Sequence, residues 1–171
     1  MANEKISAGI LLYQRGPDGL RVLLAHPGGP FFASKDAGAW GIPKGVPEPG
    51  EPTGEGALAQ VARREFQEET GLPAEGPLVS LGEVKLKSGK VVHAWALEAG
   101  DGVVPPGFVP RSNTFEIEWP PRSGRRASFP EIDRAELFSI EEARRRINPA
   151  QAAFLDRLIA QVDQSLAGSR S

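Results

Sequence analysis

No cysteine occurs in the 171 residues of this chain. That absence removes thiol nucleophiles, cysteine-ligated zinc and disulfide scaffolds from consideration, and it makes the reducing cytoplasm the expected compartment. Also missing is any apolar run near the roughly 18 residues that a membrane-spanning helix needs, so no membrane partner is expected. The opening MANEKISAGILLYQR has only a short apolar stretch and no small-residue cleavage site, unlike a secretory leader. Nor is there an excess of one charge: 20 Lys and Arg stand against 22 Asp and Glu, a net charge of −2. Domains that grip a polyanion are normally strongly basic, so nucleic acid is not an expected partner, RNA 5′ ends excepted.

What is present describes one domain. Hydrophobic residues make up 40% and charged residues 25%, near the soluble average. A compact chain of this length has a radius of gyration of about 15 Å and buries roughly 70% of its unfolded surface, enough for a core without staples. The 20 glycines and 16 prolines indicate many loops. We read residues 1–171 as a single domain with the last five as a tail, a monomer or a homodimer.

Hydrophobic periodicity orders the elements. Residues 6–14 and 20–25 are apolar, strand-length runs joined by Arg15-Gly16-Pro17-Asp18-Gly19, which predicts a hairpin. The stretch 26–56 is rich in Gly, Pro and aromatics and too long for an ordinary connection, hence a candidate binding loop. Residues 57–70 are helix formers with Leu58, Val61, Ala62 and Phe66 on one face, stopped by Gly71. Strands are expected at 78–87, 91–98, 113–119 and 135–139, with 121–133 as a loop. Helices are expected at 140–147 and 149–166. Strands, helix, strands, helices argue an α/β layer structure, a mixed sheet with helices on its faces.

The chemistry concentrates in Arg64-Glu65-Phe66-Gln67-Glu68-Glu69-Thr70-Gly71-Leu72. On a helix Glu65, Glu68 and Glu69 stand at i, i+3 and i+4 and share a face, where like charges repel. An exposed helix face normally alternates its charges. Converging carboxylates suit a hard, oxygen-preferring cation such as Mg²⁺ or Mn²⁺. Arg64 can reach Glu68 one turn on. Upstream, Gly41-Ile42-Pro43-Lys44-Gly45 is a turn-forming strand end, with Glu51 six residues after Gly45.

These residues resemble the Nudix hydrolase box, G-x5-E-x7-R-E-U-x-E-E-x-G-U, with U a bulky apolar residue. Gly45-x5-Glu51 fits its opening and Arg64 to Leu72 fits its second half at every position, so the box spans about 45–72. The middle departs from the pattern, because twelve residues rather than seven separate Glu51 from Arg64. The alternative alignment puts Glu55 in the first glutamate slot, with one residue too many before Arg64 and Pro49 in place of the glycine. The segments WGIPKG, GKVVHAWALE, SNTFEIEWPPRSG and FPEIDRAELF also look like a bacterial branch of the family.

The resemblance implies an α/β/α sandwich and divalent-metal hydrolysis of a nucleoside diphosphate linked to another moiety, such as a nucleoside triphosphate or a dinucleoside polyphosphate. It implies metal ligation by Glu65, Glu68, Glu69 and the Lys44 carbonyl. A general base comes from the box, Glu68 or Glu69, or from a later loop, where Glu131 in Phe129-Pro130-Glu131 is the candidate. Arg64, Glu68, Glu69 and Glu131 are thus the expected catalytic set. Arg122 and Arg125, with Arg126, could grip phosphates, and Trp40 or Trp119 could stack on a base. Trp95 and His93 read as core or rim residues, and Arg144, Arg145 and Arg146 as charge at a helix C-terminus. Two rival functions fit the same residues: removal of pyrophosphate from RNA 5′ ends, and a non-catalytic nucleotide-sensing module that kept the scaffold.

Overall fold

The computed structural model describes residues 6–168. The main sheet contains β1 (Ile6–Gly16), β2 (Gly19–Pro27), the two-residue β3 (Lys44–Gly45), β4 (Val79–Lys85), β5 (Val91–Glu98) and β8 (Ile132–Ser139). Its order is β4-β5-β1-β2-β8, with β3 on β1, and it is mixed because β1 and β5 run parallel while the other pairs are antiparallel. A separate hairpin joins β6 (Thr114–Glu118) to β7 (Arg126–Pro130).

Alternation along the strands supplies two cores. Ala8, Ile10 and Leu12 of β1, Leu23 of β2, and Trp95 and Leu97 of β5 pack beneath helix α1 (Glu55–Thr70) with its Leu58, Val61, Ala62 and Phe66. Leu11, Val22, Leu24, Val92 and Ala94 face the other way, onto α2 (Ile140–Arg146) and α3 (Ala153–Gly168) through Ala143, Phe154, Leu155 and Leu158. The result is the expected α/β/α sandwich. Among the described residues no helix is long and apolar enough to cross a membrane.

The site depends on a split between β1 and β2. They pair only near the turn, from Tyr13↔Val22 to Gly16↔Gly19. Deeper in, β1 pairs with β3 (Ala8↔Gly45, Gly9↔Lys44) while Ala25 of β2 bridges to Gly41. The 41–45 segment is therefore wedged between two diverging strands. Gly9 permits this approach, since a Cβ there would lie 2.7 Å from both Lys44 Cβ and Pro43 O.

Some expectations need correction. The stretch 121–133 is not a loop throughout: Arg126–Pro130 is β7, in register with β6 from Thr114↔Pro130 to Glu118↔Arg126. Its half-buried Ala127 and Phe129 carry the alternation, masked in the sequence by flanking Arg, Gly and Pro. The helix expected at 149–166 is interrupted: Pro149–Gln151 is a 3-10 turn capped by Asn148, and α3 begins at Ala153. Of the expected tail, Ala167 and Gly168 belong to α3, while 169–171 lie outside the described residues.

Candidate active site

Helix α1 carries Glu65, Glu68 and Glu69 toward the wedge. Its last turn is closed by Gly71, whose φ of 79° lets its N–H reach the Gln67 carbonyl. Arg64 is the organiser. Its Nη1 donates to Glu65 Oε1 at 2.9 Å and to Glu68 Oε2 at 3.0 Å. Its Nε and Nη2 donate to the two oxygens of Glu51, at 3.1 and 2.7 Å. In the lengthened box, Glu51 is the upstream glutamate that hydrogen-bonds to Arg64 among the described side chains. Glu55 opens the helix. With three carboxylates as partners, the Arg64 guanidinium is held firmly charged, Glu51 being the largest cause.

From the wedge, the Lys44 N–H donates to Glu69 Oε2 at 3.1 Å. Glu69 is nonetheless buried, and loss of solvent pushes its carboxyl up to about 8 against the opposing help of Lys44. Burial pushes the Lys44 ammonium down. Glu65 is raised too, chiefly by burial, with Glu68 and Glu131 adding repulsion against the pull of Arg64. Gly45 leaves the space that the Glu65 carboxylate fills.

Glu131 enters from the opposite side, at the base of the β6–β7 hairpin. Its N–H donates to the Asn113 carbonyl at 2.8 Å, and its own carbonyl accepts the Gly28 N–H at 2.9 Å. Gly28 must lack a side chain here, because a Cβ would sit 2.0 Å from Pro130 O. Two residues on, Asp133 Oδ1 lies 2.7 Å from Nδ1 of the fully buried His26, whose Nε2 donates to the Lys35 carbonyl at 2.6 Å. Burial, then the charge of Glu68, raises the Glu131 carboxyl.

Glu65, Glu68, Glu69 and Glu131 thus line one pocket of about 530 Å³ together with Lys44, Gly45, Arg64 and Asn113. Among the described residues no three acidic or imidazole side chains are already gathered tightly enough to grip an ion. The donor set still fits a hard cation. It consists of carboxylates, three of them raised by burial and mutual repulsion, which a bound cation would relieve.

Other expected residues lie elsewhere. Arg122 and Arg125 are exposed in the turn of the β6–β7 hairpin and do not line the carboxylate pocket. Trp40 is not offered to a base: it is fully buried, its Nε1 donating to Asp36 at 2.6 Å, with Arg134 and Arg146 over its ring. Trp119 packs edge-on against Phe31. Residues that sequence reasoning passed over include Gly28, Asn113 and Gln151, whose Oε1 accepts the Ile42 N–H at 3.0 Å and braces the wedge from behind. The long 26–56 loop, read as a binding loop, was the available signal for the first.

A family model of the NUDIX domain matches residues 4–158. Among solved structures, a binary complex of C. elegans Ap4A hydrolase is similar at a TM-score of 0.62 and 20% identity, over 94% of this chain and 98% of that one. The NUDIX domain of Shewanella oneidensis NrtR, complexed with ADP ribose, has a TM-score of 0.62 at 12% identity, over 95% and 90%. A Nudix hydrolase from M. smegmatis has a TM-score of 0.52 at 21% identity, over 94% and 87%. No curated protein matches the sequence.

Proposed function

The chain belongs to the Nudix hydrolase family, a pyrophosphohydrolase by type, and we propose that it hydrolyses a pyrophosphate linkage in a nucleoside diphosphate joined to another moiety, with Mg²⁺ or Mn²⁺ held at the α1 carboxylates. The observation that carries this reading is the meeting of Glu65, Glu68, Glu69 and Glu131 on the walls of one pocket. Glu65, Glu68, Glu69 and the Lys44 carbonyl would hold the cation, which when bound supplies neutralisation of phosphate charge and acidification of water.

The side chains do the rest. Arg64 fixes the orientations of Glu65 and Glu68 and restrains their repulsion. The Lys44 N–H anchors Glu69 and ties the wedge to the helix. Glu131, across the pocket, accepts the proton of the attacking water. Burial raises its carboxyl above the ordinary glutamate range, which makes it a stronger base than an exposed glutamate. The ADP ribose and Ap4A of the relatives' names fall within the proposed class of linkage.

The test is a panel of nucleoside triphosphates, dinucleoside polyphosphates, nucleotide sugars and dinucleotide cofactors, assayed with Mg²⁺ or Mn²⁺ and with chelator. Hydrolysis of one class, lost on chelation, is the expected result. Turnover undiminished after exhaustive metal removal would refute the mechanism.

A further inference from the structure

Glu131 stands next to a break in strand pairing. Strands β2 and β8 run in register from Arg21↔Ser139 to His26↔Arg134, where the register shifts and Pro27 pairs with Ile132. Asp133 is the residue passed over. An extra residue of this kind bends its strand and re-aims the side chains beside it. Here the neighbours are Ile132 and then Glu131, which lines the carboxylate pocket.

His26 closes the break from the inside. Its ring is fully buried, edge-on to Trp40 at 5.2 Å between centroids. Nδ1 lies 2.7 Å from Asp133 Oδ1, and Nε2 lies 2.6 Å from the Lys35 carbonyl. A carbonyl oxygen only accepts, so Nε2 carries the proton of that bond. With both nitrogens engaged, the ring has neither left to meet water, a metal ion or substrate. What it can do is hold. Two residues on, the Gly28 N–H donates to the Glu131 carbonyl at 2.9 Å. Segments 26–28 and 131–133 are thus joined at both ends, by a side-chain bond at Asp133 and a backbone bond at Glu131. Arg134 Nε stands farther from the same Asp133 oxygen, at 4.0 Å.

We infer that His26 and Asp133 are positioning residues for Glu131: their bond locks the register shift that sets its carboxylate across from α1. The inference rests on the reading that Glu131 accepts the proton of the attacking water, and it deepens that reading by naming what holds the base. Displacing a reacting group by about 1 Å can cost about 10²-fold in rate. Glu65, Glu68 and Glu69 are held separately, by α1, Arg64 and the Lys44 N–H. Loosening the His26–Asp133 bond should therefore slow the chemical step and spare the cation site.

Asp133→Ala is the main test variant, because a side chain 34% exposed can be removed without opening the core. His26→Gln is the second. Its amide donates at one end only, so it sets an oxygen against one of the two acceptors. Kinetics are measured with Mg²⁺ on the fastest substrate of the nucleotide panel, in wild-type and Glu131→Gln backgrounds. Each variant should lower kcat by about tenfold or more, with KM and Mg²⁺ affinity within about threefold. In Glu131→Gln the further loss should stay below about twofold, since no base remains to be misplaced. Hydrogen exchange in chelator gives a readout that needs no substrate. The Gly28 amide should exchange about tenfold faster in Asp133→Ala, while amides in the middle of β1 keep their rates.

An unchanged kcat in Asp133→Ala, an equal loss in both backgrounds, or unaltered Gly28 exchange would overturn the inference and leave Glu131 as the base. Should His26→Gln fail to fold, Asp133→Ala decides alone. Wild-type turnover in Glu131→Gln itself is a different failure: it removes the base reading, and the positioning of that base falls with it.

Discussion

Gly45 and Glu65 occupy one space: a Cβ built on Gly45 would lie 2.0 Å from Glu65 Oε2. The glycine that opens the box is thus the vacancy into which the first α1 carboxylate fits. Replacing Gly45 by Ala should push the Glu65 carboxylate off its Arg64 bond, costing about 0.5–1.5 kcal/mol of metal-free stability, while the Mg²⁺ response and activity fall together. Gly9→Ala is the contrast. Its Cβ would meet backbone, Pro43 O at 2.7 Å, so it should destabilise the protein itself by about 1–3 kcal/mol. Urea melts with and without Mg²⁺ separate the two patterns.

Arg64 contacts Glu51, Glu65 and Glu68 at once through three different nitrogens. Lysine offers one nitrogen and cannot bridge all three. Arg64→Lys should therefore retain the fold yet lower kcat by roughly tenfold or more, consistent with misplaced ligands. Steady-state kinetics with wild-type turnover in the variant would remove Arg64 from the machinery.

Glu131 stands opposite the α1 carboxylates, held by Asn113 and Gly28 through its backbone. Glu131→Gln should lower the chemical step by about 10²–10⁴ with Mg²⁺ affinity barely altered. Single-turnover rates and a Mg²⁺ titration check both halves. Activity within a few-fold of wild type would transfer the base role to Glu69 or Glu68.

Glu69 has a carboxyl near 8 in the folded protein, raised by burial above its ordinary 4.5. Between those values the folded chain keeps a proton that the unfolded chain has released. Metal-free stability should therefore be fully present at about pH 4.5, decline as pH rises, and level off near pH 8. Glu65 and Glu131 act in the same direction. Urea melts in chelator across that window should show the decline, with Glu69→Gln reducing it. An equal slope in the variant would place the titration elsewhere.

The box helix was legible because i, i+3 and i+4 spacing is a local property: Glu65, Glu68 and Glu69 share a face in any helix. The β1–β2 hairpin and the Gly71 stop are local too. Glu51 against Glu55 was not decidable from spacing, since choosing needed the path of the chain back to Arg64. Trp40 looked available for stacking because aromatic composition does not say which face of the sheet covers it. The strand Arg126–Pro130 was hidden by the Arg and Pro at its two ends and by the Gly and Arg before it, and with it the hairpin base that presents Glu131. Gly28 and Gln151 act through contacts with Glu131 and Ile42 across the chain, which no short window contains.

The central claim is that the carboxylates on α1 form a divalent-cation site, and thermal melts of wild type and Glu68→Gln, each in chelator and in saturating Mg²⁺, test it most directly. Removing one repelling charge should leave the metal-free melting temperature unchanged or slightly higher. Loss of the half-exposed Arg64 pair, about 0–1 kcal/mol, offsets part of that gain. Mg²⁺ should raise the wild-type melting temperature through binding linkage. In Glu68→Gln the increment should shrink, and activity should fall by orders of magnitude in parallel. A variant that melts lower without metal, together with no Mg²⁺ shift in either protein, would contradict the account and leave the acidic helix face a structural feature.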